Sequence, residues 1–68
     1  MITEKVGHRI KKLRSNLGLS QEKLALKADL DRTYIAGVEN GKRNLSLKSL
    51  EKIVSALEVS FEDFFKGL

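Results

Sequence analysis

Two polar side chains at the predicted start of one helix could recognise DNA bases. Arg32 and Thr33 directly follow Asp31, a good helix cap. An arginine fork can bond in a bidentate manner to O6 and N7 of guanine, and a threonine can contact a base edge or a thymine methyl group. Any exposed helix start favours the same residue types, so the elements that position these side chains must decide between the two interpretations.

A polar and basic segment follows the same helix and could bind phosphates. Lys42 and Arg43 carry the positive charge, and the neighbouring amide side chains can donate to phosphate oxygens. The predicted phosphate contacts are Gln21, Tyr34, Asn40, Lys42, Arg43 and Asn44. A solvated basic loop is the alternative, but the position directly after a base-contacting helix favours phosphate binding.

Composition argues against catalysis, metal binding and membrane insertion. The 68 residues include one histidine and no cysteine, carry a formal net charge of +4 and contain no long apolar run. They offer no evident acid and base pair, metal-ligand set or nucleotide-binding loop. We therefore expect a single cytoplasmic domain that is not an enzyme, requires no cofactor and has no room for a small-molecule pocket.

Apolar residues recur at intervals of three and four throughout, proline is absent, and the fold is therefore predicted to be all-α. Five helices fit this pattern. They are expected at about 3–17, 21–28, 32–40, 47–57 and 61–68, with the last four starting after short polar cap residues. The predicted caps are Ser20, Asp31, Ser46 and Ser60, and the predicted stops are Gly18 and the Asn40-Gly41 pair.

The second and third helices have the spacing of two short helices packed at a tight turn. Over residues 21–40, Ala25 is small where the helices must approach, and Leu30, Ile35 and Val38 can seal the corner against the core. Any tight helical hairpin would share these features. A helix-turn-helix motif is the interpretation that also uses the polar residues described above.

The stretch LRSNLGLSQEKLALKADLDRTYIAGVENGKRNLSLKSLEKIVSALEV resembles the Cro/repressor helix-turn-helix family. Its part DRTYIAGVENGKRNLSLKSLEKI, with a short helix after it, is most similar to the controller proteins of restriction-modification systems. The resemblance implies a compact five-helix lambda-repressor-like DNA-binding domain over residues 1–68. It also implies a structural salt bridge between Arg14 and Glu39, and a positive φ at Asp29, where the family commonly has glycine.

In such a motif the second helix enters the major groove, so the predicted base contacts are Arg32, Thr33, Ala36 and Gly37. Asp31 is more typical of a cap, with acceptance from cytosine N4 as the alternative. Gly37 costs helix stability, and either a close approach to DNA or simple tolerance could account for it.

The C-terminal segment of about 60–68 has more apolar surface than one short helix can bury in its own core. The predicted dimer contacts are Phe61, Phe64, Phe65 and Leu68, with Leu47 or Val54 as further candidates. The alternative is that all three phenylalanines close the core of a monomer.

Together these patterns predict a transcriptional regulator that binds a palindromic site in double-stranded DNA as a homodimer. The controller resemblance implies control of its own and an endonuclease promoter, two dimers on adjacent operators, and RNA polymerase as a further partner. A phage-type repressor and an antitoxin-like autorepressor are alternatives. A helical module that binds another protein is a third, and salt-dependent binding to duplex DNA would distinguish it.

Overall fold

Five helices and no strand form the fold in the computed structural model, which describes residues 1–68. They are α1 (Ile2–Asn16), α2 (Gln21–Ala28), α3 (Arg32–Glu39), α4 (Leu47–Ala56) and α5 (Phe61–Lys66). The all-α prediction is confirmed, and all but one of the predicted bounds lie within one residue of these. None of the five helices combines the length and apolar character needed to cross a membrane.

All four predicted polar caps form, which explains why the helices begin where they do. The hydroxyl oxygens of Ser20, Ser46 and Ser60 each accept a hydrogen bond from the backbone N–H three residues later, at 3.1 Å. Asp31 Oδ1 accepts from the N–H of Thr33, also at 3.1 Å. Each cap satisfies a first-turn N–H that has no partner inside its helix.

The core is one apolar cluster to which every helix contributes. Its six largest fully buried side chains are Phe64, Ile10, Leu24, Ile35, Ile53 and Leu57. Ile2 at the start of α1 and Leu17 just after its end are both exposed. The helix extends beyond the core at both ends, so only its central residues are covered.

The turn between α2 and α3 passes through the left-handed region at Asp29, with φ 55° and ψ 48°. The positive φ predicted for this residue is confirmed. The N–H of Leu30 then donates to the Ala25 carbonyl at 2.9 Å, which closes the end of α2. Ala25 itself is buried, as its small size predicted.

Replacing Asp29 with glycine should leave the domain equally stable or stabilise it by up to about 1.5 kcal/mol. Glycine removes a steric cost of roughly 1–2 kcal/mol in this region but loses about 0.4–1 kcal/mol through the freer unfolded chain. Urea unfolding of both proteins measures the difference. A clear loss of stability would show that the Asp29 carboxylate makes a needed contact.

Candidate nucleic-acid interface

Helix α3 is anchored by one face and presents the other to solvent. Ile35 and Val38 are buried in the core, whereas Arg32 and Thr33 are exposed at the N-terminal end. The Asp31 carboxylate is engaged in capping, which is the role the sequence favoured for it. The two predicted base-contacting side chains thus project from the capped start of a helix that is fixed from behind.

Gly37 makes room for a protein side chain. A Cβ built on Gly37 would overlap Arg43 Cγ and lie 3.5 Å from Arg43 Cβ and Cδ. The aliphatic part of Arg43 therefore crosses α3 at Gly37. This packing explains the glycine in a way that neither a close approach to DNA nor simple tolerance does. The neighbouring Ala36 is half-buried.

Tyr34 holds the far end of the same arginine. The Arg43 guanidinium carbon lies 5.1 Å from the centre of the Tyr34 ring, a distance typical of cation–π contact. The Tyr34 hydroxyl donates to the Asn44 carbonyl at 3.3 Å. Tyr34 therefore orders the loop after α3, and a phosphate contact from its hydroxyl proton would require this bond to open.

The loop over residues 40–44 folds back on the end of α3. The N–H groups of Gly41 and Lys42 donate to the carbonyls of Val38 and Gly37, at 3.0 and 2.9 Å. Gly41 has a φ of +72°, which permits the reversal. The side chains of Asn40, Lys42, Arg43 and Asn44 are all exposed, so this loop presents its polar groups to solvent.

An ion pair fixes the C-terminal end of α3 to α1. Arg14 Nε donates to Glu39 Oε2 at 2.7 Å, and Nη2 donates to Oε1 at 3.0 Å. The Glu39 side chain is 1% exposed and that of Arg14 is 12% exposed. This bidentate geometry places the two residues together in the way that the family resemblance implied.

Two more groups complete this buried cluster. Arg14 Nη1 donates to the Leu19 carbonyl at 2.7 Å, and Gln21 Nε2 donates to Glu39 Oε1 at 3.1 Å. Hydrogen bonding to Glu39 raises the pKa of Arg14 above its ordinary value. The side-chain amide of Gln21, predicted to bind phosphate, thus helps to satisfy Glu39. No pattern in the sequence around Gln21 indicates this second role.

Gly7 sets the distance between α1 and α3. A Cβ at this position would overlap the Val38 carbonyl oxygen and lie 3.1 Å from the Glu39 carbonyl oxygen. The backbones of the two helices therefore cross in direct contact. The only sequence signal for this crossing is a glycine in a helix interior, where it is intrinsically unfavourable.

The C-terminal apolar residues divide into two sets. Phe64 is fully buried in the core of this chain, so its predicted place in a dimer contact is wrong, and buried Val54 is excluded in the same way. Phe61, Phe65 and Leu68 remain 46%, 43% and 42% exposed. A six-residue helix can direct only one side into the core, which here is the side of Phe64.

The exposed apolar surface also includes residues outside α5, and Leu47 is the most exposed of them. Leu47, at the first position of α4, is 84% exposed. The structure contains no group of three or more histidine, cysteine, aspartate or glutamate side chains that could hold a metal ion. The arrangement is therefore best suited to binding other macromolecules. A capped helix and a basic loop lie on one surface, and apolar side chains are exposed elsewhere.

Comparison with known proteins agrees with this geometry. The family described as helix-turn-helix matches residues 10–64. The control protein C.MunI from Mycoplasma sp is 48% identical over 63 residues, covering 91% of this chain and 85% of that protein. The control protein C.BamHI from Bacillus amyloliquefaciens is 48% identical over 58 residues, covering 84% and 72%.

A solved structure shares the whole fold. The restriction-modification controller protein C.Esp1396I, solved as a tetramer in complex with its natural 35 base-pair operator, superposes with a TM-score of 0.93. The two sequences are 52% identical, and the match covers 97% of this chain and 87% of the other. The chain therefore belongs to the helix-turn-helix family of DNA-binding regulators and, within it, to the restriction-modification controller proteins.

Proposed function

We propose that this chain binds a palindromic operator as a homodimer and regulates its own promoter and that of an endonuclease. The observation that carries the proposal is the exposed Arg32 and Thr33 pair at the capped start of a helix held by the buried Arg14 and Glu39 ion pair. The operator complex of C.Esp1396I supports it, because that protein shares the fold and about half of the sequence. The protein would act by occupying DNA in the cytoplasm, without catalysis.

Base contact falls to the exposed half of α3. Arg32 would donate to a guanine and Thr33 would meet a neighbouring base or a thymine methyl group. Ala36 lies one turn further and can contact only apolar groups. Gly37 is covered by Arg43, so any base contact at this position would be made by the Arg43 side chain.

Phosphate contact falls to the loop after α3 and to the start of α2. Lys42 and Arg43 supply charge, and Asn40 and Asn44 can supply amide donors. The N-terminal N–H groups of α2 point away from the helix without an intrahelical partner and suit a phosphate. Gln21, at the first position of α2, would contribute through its backbone N–H while its side chain stays on Glu39.

The exposed apolar side chains of Phe61, Phe65 and Leu68 would form the contact between two copies. A symmetric pair would place its two α3 helices on half-sites about 34–36 Å apart, one turn of DNA. The tetramer of C.Esp1396I on its operator supports two such dimers side by side. An activating dimer would also contact RNA polymerase.

Selection from random duplex DNA followed by footprinting upstream of the gene tests this function. We expect a palindromic consensus, and protection of a site in the protein's own promoter and in that of a neighbouring endonuclease gene. Protection at promoters unrelated to restriction and modification would favour a phage-type repressor or an antitoxin-like autorepressor. Binding to duplex DNA that does not weaken with salt would contradict the proposal as a whole.

The Arg32→Ala variant should lose preference for one base pair in each half-site. Removing a bidentate arginine costs about 1–3 kcal/mol of discrimination against the wrong base. The matched comparison is Lys42→Ala, which removes one charge from the loop. We expect Lys42→Ala to weaken binding to all sequences alike and to reduce the salt slope by about one unit. An unchanged consensus for Arg32→Ala in the selection experiment would remove Arg32 from base recognition.

A further inference from the structure

Arg9 connects α1 to the C-terminal helix through backbone groups. Its Nε donates to the Phe64 carbonyl and its Nη2 donates to the Asp63 carbonyl, both at 2.9 Å. The last carbonyls of a helix have no partner within it. The N–H of Leu68 donates to the Phe65 carbonyl at 3.1 Å, and Arg9 supplies donors to the two carbonyls that precede it.

Gly67 provides the space that this contact requires. A Cβ at Gly67 would overlap Cζ and Nε of Arg9 and lie 2.5 Å from Nη1. The φ of Gly67 is −87°, a value open to any residue. The glycine at this position is therefore explained by the Arg9 guanidinium packed against it and not by its backbone conformation.

This contact acts on a helix that has little support of its own. Six residues are too few for a stable isolated helix, and Phe64 is the only side chain of α5 that is buried. One buried side chain fixes the position of a helix but leaves it free to rotate. The two bonds from Arg9 fix the other end, and with it the direction in which Phe61 and Phe65 project.

We propose that Arg9 is a positioning residue for dimer formation, which orients the exposed face of α5 by holding its C-terminal end. The inference rests on the homodimer proposed above. Arg9 would affect operator binding only through assembly of the dimer. Its guanidinium is already engaged with α5, whereas Arg14 of the same helix is bound to Glu39 of α3.

A double-mutant cycle on dimerisation tests this role. Sedimentation equilibrium should show a dimer dissociation constant about tenfold higher in Arg9→Ala, the size expected for the loss of one or two hydrogen bonds. Gly67→Ala should have a similar effect, because its methyl group displaces the guanidinium. The double variant should be no worse than Arg9→Ala alone, since the methyl group has nothing left to displace.

Three comparison variants distinguish loss of the Arg9 contact from other causes of a weaker dimer. Lys12→Ala removes a charge from an exposed position of α1 and should leave the dimer constant unchanged. Arg9→Lys keeps the charge but cannot span both carbonyls, so it should restore only part of the affinity. Phe65→Ala removes apolar surface directly and should weaken the dimer whatever the role of Arg9.

The outcomes separate the two proposals. A protein that stays monomeric at all concentrations would overturn the homodimer and this inference with it. A dimer that weakens in Phe65→Ala but not in Arg9→Ala or Gly67→Ala would leave the homodimer intact and overturn the positioning role. Additive losses in the double variant, or losses seen only where circular dichroism shows unfolding, would also overturn it.

Discussion

Replacing Glu39 with alanine should cost about 3–5 kcal/mol of unfolding free energy, because the change leaves the Arg14 guanidinium largely buried without a counter-charge. It also removes the acceptor of the Gln21 amide. At roughly 0.05–0.15 kcal/mol per residue, a domain of this size has about 3–10 kcal/mol of stability, so the change should remove a third or more of it. Circular dichroism during urea unfolding measures the loss.

Two variants isolate the cause of this loss. Glu39→Gln keeps the shape of the side chain and removes its charge, and it should still be strongly destabilised. Lys27→Met breaks the other side-chain ion pair, between Lys27 Nζ and Glu58 Oε2 at 2.7 Å, which is exposed. Exposed pairs contribute little, so its unfolding midpoint should barely move. Equal effects of Lys27→Met and Glu39→Ala would show that burial of the Arg14 and Glu39 pair has no special importance.

The contribution of Arg14 to folding stability should not change with pH in the range in which the protein can be studied. A raised folded-state pKa means that folding favours the protonated guanidinium, and the stability gained is fully present below the ordinary pKa. It would be lost only as the pH rises through this raised folded-state pKa, at strongly alkaline pH. Arg14 therefore keeps its positive charge at every pH at which the protein meets DNA.

The fold and the position of the interface were largely predictable because their signals are local. A helix cap depends on one side chain and the N–H groups two or three residues away, and all four predicted caps form. The left-handed turn at Asp29 is equally local. The exposure of Arg32 and Thr33 follows from the helix period once Ile35 and Val38 are assigned to the core.

The features that could not be predicted depend on contacts between distant segments. Nothing in the sequence around Arg9 shows that its guanidinium meets carbonyls 54 and 55 residues away. The same holds for the Gln21 bond to Glu39 and for the packing of Arg43 over Gly37. Three phenylalanines in one short helix could not be divided between core and surface without knowing which side of α5 faces α1.

The position of α3 relative to α1 should determine whether the exposed side chains of α3 can reach the DNA bases at the same time. Base recognition depends on angles and distances that a small rotation of the helix would spoil. Two separate contacts fix that rotation: the Arg14 and Glu39 pair at the end of α3, and the backbone contact at Gly7. Variants at either place test the support of the interface without altering a group proposed to touch DNA.

Replacing Gly7 with alanine should destabilise the domain by about 1–3 kcal/mol, at the upper end for a crowded site, although alanine is the better helix former by roughly 0.5–1 kcal/mol. The added methyl group would meet the Val38 carbonyl oxygen, which is backbone and cannot turn aside as a side chain could. The two helices must then separate, which also draws Arg14 away from Glu39. His8→Ala is the matched control, because His8 is exposed on the same helix and should be neutral or slightly stabilising. An increase in the urea midpoint of Gly7→Ala, like that expected for an exposed glycine, would show that α1 and α3 do not need this close crossing.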